Sequence, residues 1–317
     1  MGLTRYLKNI FRHDSYTRRL IHELRLELQS AKQELVLNYA TKESSRIQYL
    51  QDKVLNTTEM GVSDIPLCEN EVVVSLTTYG IRIHDVYLAI ESIMQGTIKP
   101  NRIVLWLSKD EFEGKKIPLS LQNQMKRGLE IEYCEDILSY KKLIPSLKKF
   151  PNACIITIDD DLMYDFDFVE RLVNTHIMHK EAVCANRIHR MKLGKNMLPV
   201  SYMDWDLCVN KYDNSPLNFF TTGGGTLFPP NVFPKEVFDD STFMSICKYA
   251  DDVWFNAMIR LNDKVILKSY TRSSEGDDFI CISNVQYMGL YIENTNSISC
   301  RNDVQIDAVW KKYKLSE

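Results

Sequence analysis

Three runs constrain this fold most: EVVVSLTT (71–78), NRIVLWLS (101–108) and ACIITI (153–158) each hold a continuous apolar stretch. A strand with one wet face alternates apolar and polar residues, so runs without alternation belong in a sheet covered on both faces. Between them lie helical patterns: DVYLAIESIMQG, opening at Asp85 and closing near Gly96, then LSLQNQMKRG and SYKKLIPSLKKF, with LEIEYC as a further short strand. Strands alternating with helices predict an α/β fold, a mainly parallel sheet flanked by helices whose ligands bind beyond the carboxyl ends of the strands. The run at 153–158 ends on Asp159, Asp160 and Asp161. Ionised carboxylates cost several kcal/mol each, roughly, when taken out of water unless a cation or hydrogen bonds compensate. The triplet is either a solvated turn, which Asp favours, or a cation site.

In a D-x-D arrangement at a strand end, Asp159 and Asp161 can reach one divalent cation together, with Asp160 as a further or alternative ligand. Mn²⁺ and Mg²⁺ prefer such oxygen ligands and often share them with substrate phosphates. Lys141 and Lys142 in SYKKLIPSLKKF fall just inside a helix N-terminus, where helix end and ammonium both attract a diphosphate. Lys148 and Lys149, further along, read as a solvated face. Gly223, Gly224 and Gly225 permit close approach to the main chain. Arg187, His189, Arg190, Lys192 and Lys195 form a local basic patch that either meets acceptor phosphates or is a solvated loop. Trp205 is read as a sugar-stacking aromatic or as core. Asp251 and Asp252 open the helix DVWFNAMIRL, where the dipole favours acids whatever their role.

The rest of the chain sets limits. With 317 residues, 44% hydrophobic and 26% charged, a sizeable core is affordable, and a net charge of −3 gives no general attraction to nucleic acid. The eight cysteines are dispersed without a C-x-x-C pair and are expected as reduced thiols of a cytoplasmic protein. No apolar stretch is long enough to span a bilayer. At the N-terminus, Leu3, Tyr6, Leu7, Ile10 and Phe11 share a helical face with Arg5, Lys8 and Arg12 among them, which suits either packing on protein or an anionic membrane surface. Ile21, Leu24, Leu28, Ala31 and Leu35 follow coiled-coil spacing until Asn38 and Lys42 interrupt it, and Ile47, Leu50 and Val54 resume a short register. Residues 1–62 are therefore expected as a helical arm for homo-oligomerisation or peripheral membrane docking, and 63–317 as the α/β domain.

Four features in order, VSLTTYGIRI, IITIDDD, TTGGGTLFPP and YADDVWFNAMIRL, resemble the GT-A-fold, nucleotide-sugar-dependent glycosyltransferases, in particular bacterial enzymes of surface-polysaccharide assembly. The resemblance covers roughly 70–270 and leaves the arm unexplained. It implies that Thr77, Tyr79 and Arg82 hold the nucleotide base, ribose and phosphate, that Asp136 assists at the nucleoside, and that Lys141, Lys142, Asp159 and Asp160 belong to the donor site. It implies Mn²⁺ or Mg²⁺ on Asp159 and Asp161, a sugar and acceptor pocket lined by Gly223–Gly225, and Asp252, with Asp251, as general base of an inverting transfer. The expected donor is a nucleotide sugar, a UDP-sugar first, and the acceptor a saccharide or lipid-linked saccharide. All six histidines lie at or before residue 189, so a C-terminal His metal ligand is lacking, and Asp277 or Asp278 is an alternative. The rivals are a metal-dependent nucleotidyltransferase or phosphohydrolase, which would want a Gly-rich phosphate loop where TTYGIRI has one Gly, and a non-catalytic sugar-binding scaffold.

Overall fold

The computed structural model describes residues 2–195, 197–270, 279–286 and 300–315. The chain divides into two units, Met1–Tyr49 and Leu50–Glu317. One unbroken helix, α1 (Gly2–Asn56), runs through the first and into the second, so the division falls inside the helix and not at residue 62. Leu24 and Leu28 of the heptad seam are 54% and 71% exposed, whereas Leu50 and Val54 are buried in the second unit, where Gln51 Nε2 donates to the Tyr87 hydroxyl at 3.0 Å. The side chains of Leu3, Tyr6, Leu7, Ile10, Phe11, Ile21, Ala31 and Leu35 lie outside the described residues. No described helix is long and apolar enough to cross a membrane.

In the second unit the continuous apolar runs become β1 (Val72–Thr77), β2 (Arg102–Ser108) and β4 (Cys154–Thr157), with β3 (Leu129–Cys134) as the edge strand. The seven-stranded sheet adds β6 (Val183–Ala185), β9 (Thr226–Phe228) and β10 (Ile266–Lys268), in the order β10-β6-β9-β4-β1-β2-β3, while β5 (Leu162–Tyr164), β7 (Ile188–Arg190) and β8 (Asn218–Phe220) belong to two-stranded sheets. Within the seven-stranded sheet every pairing is parallel except those of β9, which runs antiparallel between β4 and β6. Burial explains the missing alternation. Val72, Val74 and Leu76 enter one apolar cluster and Val73 the other, because each face of β1 is covered.

The helical patterns are shorter than their sequences suggest. DVYLAIESIMQG yields α2 (Val86–Met94), with Asp85 at its start but making no side-chain cap hydrogen bond. LSLQNQMKRG yields α4 (Leu119–Met125). SYKKLIPSLKKF divides into a 3₁₀ turn, Leu138–Lys142, and a short helix, Ile144–Lys149, with Pro145 in its first turn. Lys141 and Lys142 therefore sit in a 3₁₀ turn and not inside a helix N-terminus. With α3 (Lys109–Phe112) and α5 (Ile144–Lys149) as further short helices before β4, there follow α6 (Phe168–Met178), α7 (Asp240–Ile246) and α8 (Asp251–Leu261), and the C-terminal helix Arg301–Tyr313 packs on α8 through Ile306, Val309 and Trp310.

Candidate active site

Because β1 and β4 are parallel, with Ser75 opposite Thr157, the chain leaves both strands at the same end of the sheet. Thr78 and Asp159–Asp161 are thus neighbours although about eighty positions apart. Thr78 Oγ1 donates to Asp160 Oδ2 at 2.6 Å, and Arg82 donates from one amino group to Asp160 at 2.8 Å and from the other to Asp161 at 2.6 Å. Lys142 Nζ lies 2.6 Å from Asp159 Oδ1 and 3.2 Å from Asp251 Oδ2. Part of the positive charge demanded by the acidic run therefore comes from the chain itself.

The chain holds these cations from behind. Ser75 Oγ donates to the Lys142 carbonyl at 2.6 Å and accepts from Ser146 Oγ at 2.7 Å, and Trp106 Nε1 donates to Ser146 at 2.7 Å. This buried chain of donors fixes the 3₁₀ turn beneath Lys142. Tyr164 adds a second brace: its hydroxyl accepts the Asp159 N–H at 2.8 Å and donates to the Gly223 carbonyl at 2.7 Å. Ser75 and Thr78 fall within VSLTTYGIRI and Ser146 within SYKKLIPSLKKF, but nothing in those runs singles them out, and only register in space assigns them, with Trp106 and Tyr164, to the site.

The glycine run approaches protein side chains closely. A Cβ on Gly223 would fall 1.7 Å from Asp159 Oδ2, and Gly225, at φ +94°, would place one 2.3 Å from the Phe168 ring. Gly223 thus lets the Asp159 carboxylate lie against the main chain, and Gly225 supplies a backbone conformation closed to most residues. The preceding Thr222 binds the other acidic pair: its N–H and hydroxyl donate to Asp252 Oδ1 at 2.8 and 2.6 Å, and the hydroxyl lies 3.2 Å from Asp251 Oδ2. Asp252 Oδ2 takes no hydrogen bond among the described residues. Arg187 Nε donates to Thr221 Oγ1 at 2.6 Å, and its guanidinium lies 5.1 Å from the Phe279 ring centroid.

Electrostatics divide four of the carboxylates. Burial raises the Asp159 pKa, but the charge and hydrogen bond of Lys142, aided by Arg187 and Arg82, outweigh it and hold the group below the usual range. Burial pushes Asp160 up to about 7, against Arg82, and burial and then Asp159 raise Asp161. Burial and then Asp251 raise Asp252 to about 6. Burial disfavours the Lys142 ammonium, yet Asp159, Asp251 and Asp252 together keep it charged.

Other sequence candidates are placed as follows. Thr77 Oγ1 donates to the Trp106 carbonyl at 2.8 Å, and Tyr79 is exposed at the rim, with the Arg82 guanidinium 5.3 Å from its ring centroid. Asp136 forms an ion pair with Lys141, whose side chain is buried. His189 is buried, accepts the Cys208 N–H on Nδ1 at 2.9 Å, and has its pKa lowered to about 3, by burial first and Arg187 second. Trp205 is also buried, donating to the Val200 carbonyl at 3.0 Å and packing edge-on to Phe219. The basic patch is dispersed: Arg190 pairs with Asp213 and Lys192 with Asp206, while Lys195 is exposed. Asp277 and Asp278 lie outside the described residues.

Asp159 and Asp161 offer carboxylate oxygens of the kind a hard divalent cation prefers, here engaged by Lys142 and Arg82. Asp159 and Asp161 are close enough for mutual repulsion to be the second cause of the raised Asp161 pKa, a condition that an oxygen-preferring dication relieves.

No protein-family model matches the chain, and no curated protein matches it. Among solved structures it is similar to the mannosyltransferase PcManGT from Pyrobaculum calidifontis, in complex with GDP-Man and Mn²⁺, at 11% identity and a TM-score of 0.41 over 74% of this chain; the match spans 65% of that protein's length. It is also similar to HddC from Yersinia pseudotuberculosis, at 14% identity and a TM-score of 0.38, over 70% of this chain and 98% of the other. At these values neither likeness assigns a reaction to this chain.

Proposed function

We propose that the protein is a metal-dependent glycosyltransferase that moves a sugar from a nucleotide-sugar donor to a saccharide or lipid-linked acceptor with inversion, in surface-polysaccharide synthesis. The observation that carries this reading is the single ammonium of Lys142 between Asp159 and Asp251, which joins the strand-end acids and the helix-start acids in one site. Asp159 and Asp161 would hold Mn²⁺ or Mg²⁺, which when bound neutralises charge on the departing nucleoside diphosphate. Arg82 and Lys142, already aimed at the acidic run, add positive charge beside the same leaving group. Tyr79 stands exposed where a base can stack on it.

Asp252 is the general base. Its Oδ1 is fixed by two donors from Thr222, its Oδ2 is left to accept the acceptor hydroxyl's proton, and a pKa of about 6 keeps it ionised yet basic near neutrality. Asp251, tied to Lys142 and Thr222, orients this end of the site. The arm, residues 1–49, serves self-association or membrane-surface docking.

The test is incubation with Mn²⁺ and a panel of nucleotide sugars, UDP-sugars first, followed by product analysis. Slow release of nucleoside diphosphate and free sugar is expected. Nucleoside monophosphate with sugar phosphate would reveal a phosphohydrolase, and no turnover with any donor a binding scaffold.

A further inference from the structure

Cys154 opens β4, so its side chain lies at the opposite end of that strand from Asp159. There its Sγ is 3.3 Å from His176 Nε2 on α6, and Cys68, in the segment before β1, brings a second thiol. The three donor atoms lie within 4.8 Å of one another. His176 is 4% exposed, and its Nδ1 has no hydrogen-bond partner among the described residues, so a thiol is the main partner of a buried imidazole. Buried polar groups are ordinarily better satisfied than this.

We propose that Cys68, Cys154 and His176 form a three-ligand site for a soft, tetrahedral cation, Zn²⁺ foremost, distinct from the carboxylate site at the other end of the sheet. Zinc bonds of about 2.3 Å to sulfur and about 2.0 Å to nitrogen put ligand atoms about 3.5–3.8 Å apart, so the widest pair needs to close by about 1.3 Å at most. Two thiols with an imidazole select Zn²⁺ over Mg²⁺ or Mn²⁺, which prefer oxygen. Binding forms two sulfur–metal bonds and one nitrogen–metal bond; the two thiol protons leave to solvent, and the imidazole binds neutral through Nε2 with its proton on Nδ1. Cys68 is half-buried and lines an open cleft with Glu69, Asn70, Asn101 and Arg102, which gives the ion an entry path and a water for the fourth position. The bound ion would fasten the segment before β1 to β4 and α6. Sequence spacing conceals the site, because its ligands are gathered across the sheet and not within a C-x-x-C turn.

The experiment is Co²⁺ titration of the reduced, metal-stripped full chain, read by ultraviolet thiolate-to-cobalt charge transfer and by tetrahedral visible bands, with Zn²⁺ competition. Saturation near one thiolate-bound Co²⁺ per chain is expected, displaced by Zn²⁺ and not by Mg²⁺. Co²⁺ on the aspartates gives no thiolate band, so the two sites are told apart. Since Cys154 is fully buried, Cys68→Ser is the variant of choice; it should weaken thiolate-bound Co²⁺ by more than about 100-fold, the upper end of what losing a residue behind a ligand costs. The exposed Cys208→Ser is the control and should change nothing. Absence of the thiolate band in the parent, or an unchanged band in Cys68→Ser, overturns the proposal. So does a Cys68–Cys154 disulfide that, once reduced, still leaves the protein unable to bind Co²⁺.

Discussion

Glu91 and the run Asp159–Asp161 are both buried acids facing cations, but their surroundings are balanced differently. Glu91, fully buried on α2, takes Arg127 at 2.9 Å, Gln124 at 2.9 Å and Gln95 at 2.8 Å, one charge against one charge with neutral amides for the remainder. Arg127 also donates from Nε to the Glu59 carbonyl at 2.7 Å, pinning the segment after α1. At the strand ends, five carboxylates, Asp159, Asp160, Asp161, Asp251 and Asp252, crowd one another, and among the described residues Arg82, Lys142 and Arg187 lie beside them. The crowding shows where Asp161 and Asp252 are raised by burial and then by a neighbouring carboxylate. A balanced buried network holds a fold together, whereas an unbalanced one is poised to receive a cation or a proton.

The sharpest way to break this comparison is Asp161→Asn. If the crowded carboxylates hold a metal, the variant loses transfer below detection and loses Mn²⁺-dependent nucleotide affinity, yet still melts as one unit. Unchanged Mn²⁺-dependent affinity by calorimetry would remove Asp161 from the metal site.

Asp252→Asn comes next. Transfer measured in a single turnover at saturating substrates should fall by about 10² to 10⁴, the usual contribution of a general base, with donor affinity near that of the parent. The pH dependence carries a sign that separates activity from stability. Asp252 must be ionised to accept a proton, so transfer should rise with pH to a plateau above about 6 and stand about tenfold lower one unit below. Its pKa is raised above the unfolded value of about 3.9, so the folded state holds the proton more tightly. That contribution to stability is full below about pH 4 and lost as pH rises through about 6. Transfer at the parent rate in Asp252→Asn, or product with the anomeric configuration retained, would refute this base.

The balanced cluster should respond in stability instead. Arg127→Ala strands Glu91 and is expected to cost about 3–5 kcal/mol in urea unfolding, with no recovery on adding Mn²⁺. Arg82→Ala at the acidic site should be partly restored by Mn²⁺, because a dication can replace the lost charge. Equal behaviour of the two variants would erase the distinction. The smallest effect is expected from removing residues 2–49 while keeping Leu50 and Val54, which should leave unfolding of the second unit within about 0.5 kcal/mol. Light scattering and liposome flotation on the same truncation then read whether the arm self-associates or docks on membranes.

Much of the sheet was legible from sequence because continuous apolar runs are unambiguous: a chain burying Val72, Val73, Val74 and Leu76 together must cover both faces of β1. Parallel order then dictated that the acids after β4 and the loop after β1 lie at one end. The 3₁₀ turn at Leu138–Lys142 was hidden, since a basic stretch before Pro145 reads as helix until tertiary contacts from Ser75 and Ser146 hold it otherwise. Trp205 and His189 illustrate the same limit, for an aromatic or a histidine in a polar loop carries no local sign of the core that Tyr202 and Phe219 build around it. By itself the sequence determined which strands are buried, where the acids stand along the chain and which helix begins on Asp251 and Asp252, because those depend on local periodicity and order. Only the tertiary structure decided that Lys142 stands between two acidic pairs, that Gly223 makes room for the Asp159 carboxylate and that Cys68, Cys154 and His176 meet, because each is a contact between residues brought together by sheet register and not by spacing.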